Sequence, residues 1–162
     1  MQIRESQYFS YFIGGIIYMT GDAIAAFLNH EADLWRSIGI FAVGSTLYAF
    51  EIKTYFRWID KKVNVFGGLK RIWIKTCLAL LYFNPLWIVR HLCIVFLVSG
   101  KVDQINITIL QTAFSAFLFN IPVSVLANYI IQNKTPLEYR FWASAVFSGV
   151  MAIYYSMSSV WF

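Results

Sequence analysis

Charge is scarce in this sequence. Only 13% of its 162 residues are Asp, Glu, Lys or Arg, about half the share of a soluble domain. Cysteine is scarcer still, with two residues. Cys77 and Cys93 lie in one apolar run, about 24 Å apart along a helix at roughly 1.5 Å per residue, so they cannot bridge each other within it. No disulfide framework follows, and the redox compartment stays open. Histidine is limited to His30 and His91, neither spaced with carboxylates or cysteines as a metal ligand would be. There is no nucleophile elbow, and "GGLKR" at Gly67–Arg71 lacks the spacing of a phosphate loop. The expectation is no catalytic residue, no cofactor, no metal site, and a protein that is not an enzyme.

Apolar side chains are present in excess. They make up 59% of the chain, with 19% aromatic and a mean hydropathy of +0.61. Five hydrophobic stretches stand out, at 8–28, 36–56, 73–98, 107–131 and 139–161. Each approaches the roughly 20 residues needed to cross a bilayer core of about 30 Å. No strand-period alternation, repeat or low-complexity tract competes with them, and backbone in lipid must bond internally, so runs this long are helical. The first run contains Asp22 and is too long for a signal peptide, so it is read as a retained helix. The expected fold is an all-α integral membrane protein: residues 1–162 as one domain, a polytopic bundle of four to five transmembrane helices. The fifth stretch is a full span, an incomplete one, or a surface helix.

The net charge of +5 is concentrated between Lys53 and Lys75, which marks a basic loop and not a nucleic-acid surface. Positive residues alternate between loops, heavily after the second stretch and weakly after the fourth. This places the N-terminus and those two loops on the cytosol-like side. The expected partner is the lipid bilayer. Small solutes, copies of the same chain, or a larger membrane complex are the other candidates, with no nucleic acid.

Ionisable and amide groups at bilayer depth carry the functional question. A charge there costs at least about 2.5–3.5 kcal/mol unless paired or wet. Arg90 is long enough to snorkel outward, but Asp22 and the Arg90–His91 pair fall at similar depth, about 9 Å and 12 Å from one face, which allows Asp22 and Arg90 to meet. They would form either the wall of a polar pathway or a structural salt bridge. Glu51 and Lys75 are expected near the opposite face, as an interfacial ion pair, two solvated helix ends, or a gate. Asn120, Pro122 and Asn128 on the fourth stretch suggest a kinked, pore-lining helix, or asparagines bonding between helices. Pro136 is expected near the first turn of the last helix, with Arg140 anchored on headgroups or paired with Asp60. Small residues (Ser10 and Gly14, Gly21 and Ala25, Gly39, Gly44, Ser144, Ser148, Gly149) suggest close helix packing.

The order of motifs resembles a family, the peroxisomal and mitochondrial inner-membrane proteins of the Mpv/PMP type. Gly21–Asp22 followed by "AIAAFL" matches its opening, and Arg36 its next arginine. "YFRWID", Tyr55 to Asp60, matches its "WYxxLD"-like end, although the preceding Gly-Pro falls on Ala49–Phe50. Lys70 fits the lysine of a "K…DQ…P" pattern whose Asp-Gln is replaced by Lys75–Thr76 and whose proline is replaced by Leu80. The last motif, "WPxxQxxNFxxVPxxYR", reads "IPVSVLANYIIQNKTPLEYR" here. It keeps Pro122, Asn128, Tyr129, Pro136, Tyr139 and Arg140, with three extra residues before Pro136. "YYS", Tyr154 to Ser156, stands for the family's "YLS". The resemblance implies a divergent member with a channel-like role in small-solute or ion passage, in a mitochondrial or peroxisomal membrane. A bacterial membrane is left open. The alternative is a non-conducting structural or partner-binding subunit.

Overall fold

The computed structural model describes residues 7–161, and their long elements are helical. Helix α1 spans Gln7–Leu28. Helix α2, Leu34–Val43, runs through a π-helical segment, Gly44–Tyr48, directly into α3, Ala49–Val63. Helix α4 spans Gly68–Val98, α5 Thr108–Asn133 and α6 Leu137–Trp161. A 3₁₀ turn, Val102–Gln104, lies between α4 and α5.

The second expected stretch, 36–56, is therefore longer at both ends. Its sequence ends in Lys53, Arg57, Lys61 and Lys62, which reads as loop. Yet Ile52, Phe56, Ile59 and Val63 recur at helical spacing and are all buried, so α3 continues as an amphipathic helix. The extension moves Glu51 away from a helix end and into the middle of the α2–α3 rod. The third stretch also starts earlier. Gly68 has φ +54, a left-handed conformation that suits glycine, and Lys70 and Arg71 lie in the first turn of α4. Helix α4 passes through Asn84–Pro85 uninterrupted. Helix α5 likewise runs through Pro122. Proline costs a helix one N–H and frees the carbonyl four residues back, which packed membrane helices tolerate.

Contacts between connections sort them to two ends of the bundle. Lys101 Nζ bonds Glu31 Oε1 at 2.5 Å, joining the connection after α1 to that after α4. Arg140 at the start of α6 bonds Asp60 near the end of α3, and Asn133 at the end of α5 bonds Thr76 of α4 at 3.1 Å. Helices α1 and α6 approach most intimately at two glycines, where a Cβ on Gly21 would overlap the Gly149 carbonyl. A Cβ on Gly39 would come within 2.5 Å of Val98. These two contacts agree with the expected packing role of small residues.

Among the described residues, three helices are long and apolar enough to cross a membrane by length and composition: Phe9–Leu28, Gly68–Val98 and Thr108–Asn133. The outer surface agrees with them. On α5, Phe114, Leu118, Phe119, Val123, Leu126 and Ile130 are exposed while Asn120, Ser124, Asn128 and Gln132 are buried. Such inversion, apolar outside and polar inside, is compatible with an integral membrane location.

Candidate functional site

The buried polar face of α5 repeats every fourth residue, which aligns Asn120, Ser124, Asn128 and Gln132 on one side of the helix. At roughly 1.5 Å per residue the stripe covers about 18 Å of axis. Helix α6 presents a parallel series, Arg140, Ser144 and Ser148. Between them and α4 lies a cavity of about 20 Å³ whose walls include Asn84, Trp87, Asn128, Ser144, Ser148 and Tyr155. That volume accommodates about one water. Asn128 donates back to the Ser124 carbonyl at 2.9 Å, and Asn120 donates to the Tyr155 hydroxyl at 3.3 Å. Asn84 Nδ2, Trp87 Nε1, Ser124 Oγ and both amide atoms of Gln132 are buried without a hydrogen-bond partner among the described residues. Proteins rarely leave such groups unpaired, so an interior like this calls for water or a polar guest.

Ion pairs bracket this stripe. At one end, Arg36 binds Asp22 in a two-point fork, Nε to Oδ2 at 2.7 Å and Nη2 to Oδ1 at 2.8 Å. Both residues are almost wholly buried. His91 Nε2 stands 3.6 Å from Asp22 Oδ1, and Arg36 Nη1 reaches Glu31 Oε2 at 3.4 Å. Asp33 caps α2 by accepting from the Arg36 N–H at 2.8 Å, which fixes where that arginine begins.

At the other end, Asp60 gathers cations from two other helices, Lys75 of α4 and Arg140 of α6, the latter at 2.8 Å. Arg140 Nε also donates to the Thr135 carbonyl at 2.9 Å.

Between the ends, Arg90 forks onto Glu51, with Nη2–Oε2 at 2.6 Å and Nη1–Oε1 at 3.2 Å. Tyr82 donates to the same carboxylate at 2.6 Å. The guanidinium also lies over the rings of Tyr48 and Trp87, 5.1 and 5.3 Å from their centroids.

Two expected pairings are thus corrected. Asp22 meets Arg36 and His91, not Arg90, because the short turn after α1 returns Arg36 beside the end of that helix. Glu51 meets Arg90, not Lys75, because α3 runs on past residue 56 and carries Asp60 to Lys75 instead. The Asp60–Arg140 pair is as expected. Pro136 immediately precedes α6 and its carbonyl accepts from the Tyr139 N–H at 3.0 Å. Tyr139 and Pro122 are exposed, so neither belongs to the polar interior.

Arg36 as the partner of Asp22, and Tyr82, Asn84, Trp87, Ser124, Gln132 and Tyr155 as interior polar groups, were not expected from the sequence. The fourfold spacing from Asn120 to Gln132 was a signal available in the chain. The rest are apolar-run residues whose neighbours come from other helices. In comparisons with known proteins, no family model, no curated protein and no solved structure matches the chain.

Proposed function

We propose that the protein is a polytopic membrane protein whose polar interior gives small solutes or ions a route across the bilayer. In this reading α1, the α2–α3 rod, α4, α5 and α6 all cross. The connections after α3 and α5 face the cytosol-like side, as their charge suggests. The observation that carries the reading is the buried stripe Asn120–Ser124–Asn128–Gln132 on α5, whose Asn128 lines a water-sized cavity together with Asn84 and Trp87 of α4, the polar atoms of those two being unpartnered among the described residues. The cavity holds about one water, so this conformation is closed, and passage requires α6 to move relative to α4 and α5. The ordered likeness to the Mpv/PMP family supports the same role and a mitochondrial or peroxisomal membrane.

Liposomes containing the purified protein test the route. Wild-type protein is expected to release a small solute or ion faster than empty liposomes. Asn128→Leu and Ser148→Leu, which fill the cavity, should bring flux down to the empty-liposome level. A lipid-facing Val123→Leu should leave it unchanged. Wild-type flux equal to empty liposomes sinks the proposal.

A second reading, a non-conducting structural or partner-binding membrane subunit, is favoured by the tight bidentate pairs Asp22–Arg36 and Glu51–Arg90. It predicts no flux and co-purification with a larger complex, with Asn128→Leu tolerated.

A further inference from the structure

At the end of the bundle where α5 turns into α6, a cleft of about 300 Å³ is walled by Arg71, Lys75, Lys134 and Arg140, together with Tyr129 and Gln132. Four cations around one small space is an unusual concentration in a chain with so few charges. Lys75 and Arg140 share one carboxylate, Asp60. Arg71 donates to the neutral amide of Asn64 at 2.9 Å, and Lys134 lies over the Tyr129 ring, 5.8 Å from its centroid. Neither of these last contacts neutralises a charge, so the cleft retains a positive excess.

A second feature makes this more than a basic surface. Gln132 is fully buried in the wall of the cleft, and neither its Nε2 nor its Oε1 has a hydrogen-bond partner among the described residues. Leaving an amide unpaired in a protein interior is costly, and a ligand at this wall would offset that cost. An amide N–H₂ offers two donors, and a guanidinium offers planar pairs of donors suited to an oxygen-rich anion.

We infer that this cleft binds a phosphate-type oxyanion, held by Arg71 and Lys134 at its mouth and by the Gln132 amide at its floor. Inorganic phosphate, a small phosphomonoester and a lipid headgroup phosphate share the required chemistry. The inference rests on the passage reading only for its transport consequence: Gln132 is also the last residue of the α5 stripe, so a bound oxyanion would stand at the mouth of the route.

The test uses the full chain in phosphatidylcholine nanodiscs, titrated calorimetrically with sodium phosphate, and again in nanodiscs containing phosphatidic acid. Lys134→Gln, Arg71→Gln and Gln132→Leu are compared, with thermal unfolding as the control for folding. Phosphate is expected to bind the wild type in phosphatidylcholine. Lys134→Gln and Arg71→Gln should weaken it about tenfold each, and Gln132→Leu several-fold. If phosphate binds only weakly but phosphatidic acid is retained by the wild type and lost by these variants, the same site is occupied by a lipid headgroup. Binding of neither, or binding that all three variants leave intact, overturns the inference. Binding without flux in liposomes would defeat the passage reading and leave the site standing. Flux without binding would do the reverse.

Discussion

Asp22 and Arg36 are the most deeply buried ion pair bonded at two points in this protein among the described residues, and their position explains their cost and value. Two charges in a low-dielectric interior are stable only as a pair, and removing one strands the other at about 3–5 kcal/mol. Arg36→Met should therefore lower the thermal unfolding temperature of the detergent-solubilised protein sharply. Adding Asp22→Leu to Arg36→Met should recover most of the loss, since the stranded carboxylate is gone. A double variant no more stable than the single would refute this account of the pair. In the sequence, the demand for a partner was legible from Asp22 alone, because an aspartate in an apolar run needs one. Which arginine answers was not legible, since similar depth allowed Arg90 and only the turn after α1 selects Arg36.

At the scale of elements, two contacts hold the helices in place by different physics. The first is steric. Helices α1 and α6 touch through Gly21 and Gly149, where an added Cβ would meet backbone, which cannot rotate away. Gly21→Ala should destabilise by about 1–3 kcal/mol as overpacking does, read as a lowered unfolding midpoint in detergent. The second is electrostatic. Asp60 fastens α3 to α4 and α6 through Lys75 and Arg140.

Asp60→Asn leaves Lys75 and Arg140 without their shared counter-charge and should lower the unfolding midpoint at neutral pH, measured by thermal scans of the detergent-solubilised protein. The small-residue contact was visible as spacing in the sequence. The Asp60 hub was half visible, as its bond to Arg140; Lys75 joined it only because α3 extends through a basic segment that resembles a loop.

For the whole molecule, the decisive property is that its polarity is turned inward. A soluble helix such as α5 would bury Phe114, Leu118, Val123 and Leu126 and expose Asn120, Ser124 and Asn128; here the faces are reversed. The proposed orientation can be read directly. A cysteine introduced at Asn64 and one at Asn106, in a background lacking Cys77 and Cys93, should react with a membrane-impermeant maleimide from opposite sides of sealed vesicles. Labelling of both from the same side would contradict the alternating arrangement of helices.

The amino-acid sequence determined that the long apolar stretches are helices, because their length and continuity in a poorly charged chain leave the backbone no other way to satisfy its hydrogen bonds in lipid. It also determined that Asp22, Arg90, Asn120 and Asn128 would need partners, because burial makes an unpaired polar group costly. Tertiary structure alone decided which partners they take. A helix presents its residues every 3.6 positions and says nothing of what the next helix places opposite. The π-helical segment at Gly44–Tyr48, the extension of α3 to Val63 and the contact of Gly21 with Gly149 set those registers. They send Arg36 to Asp22, Arg90 to Glu51 and Lys75 to Asp60, and leave the Gln132 amide buried beside four cations.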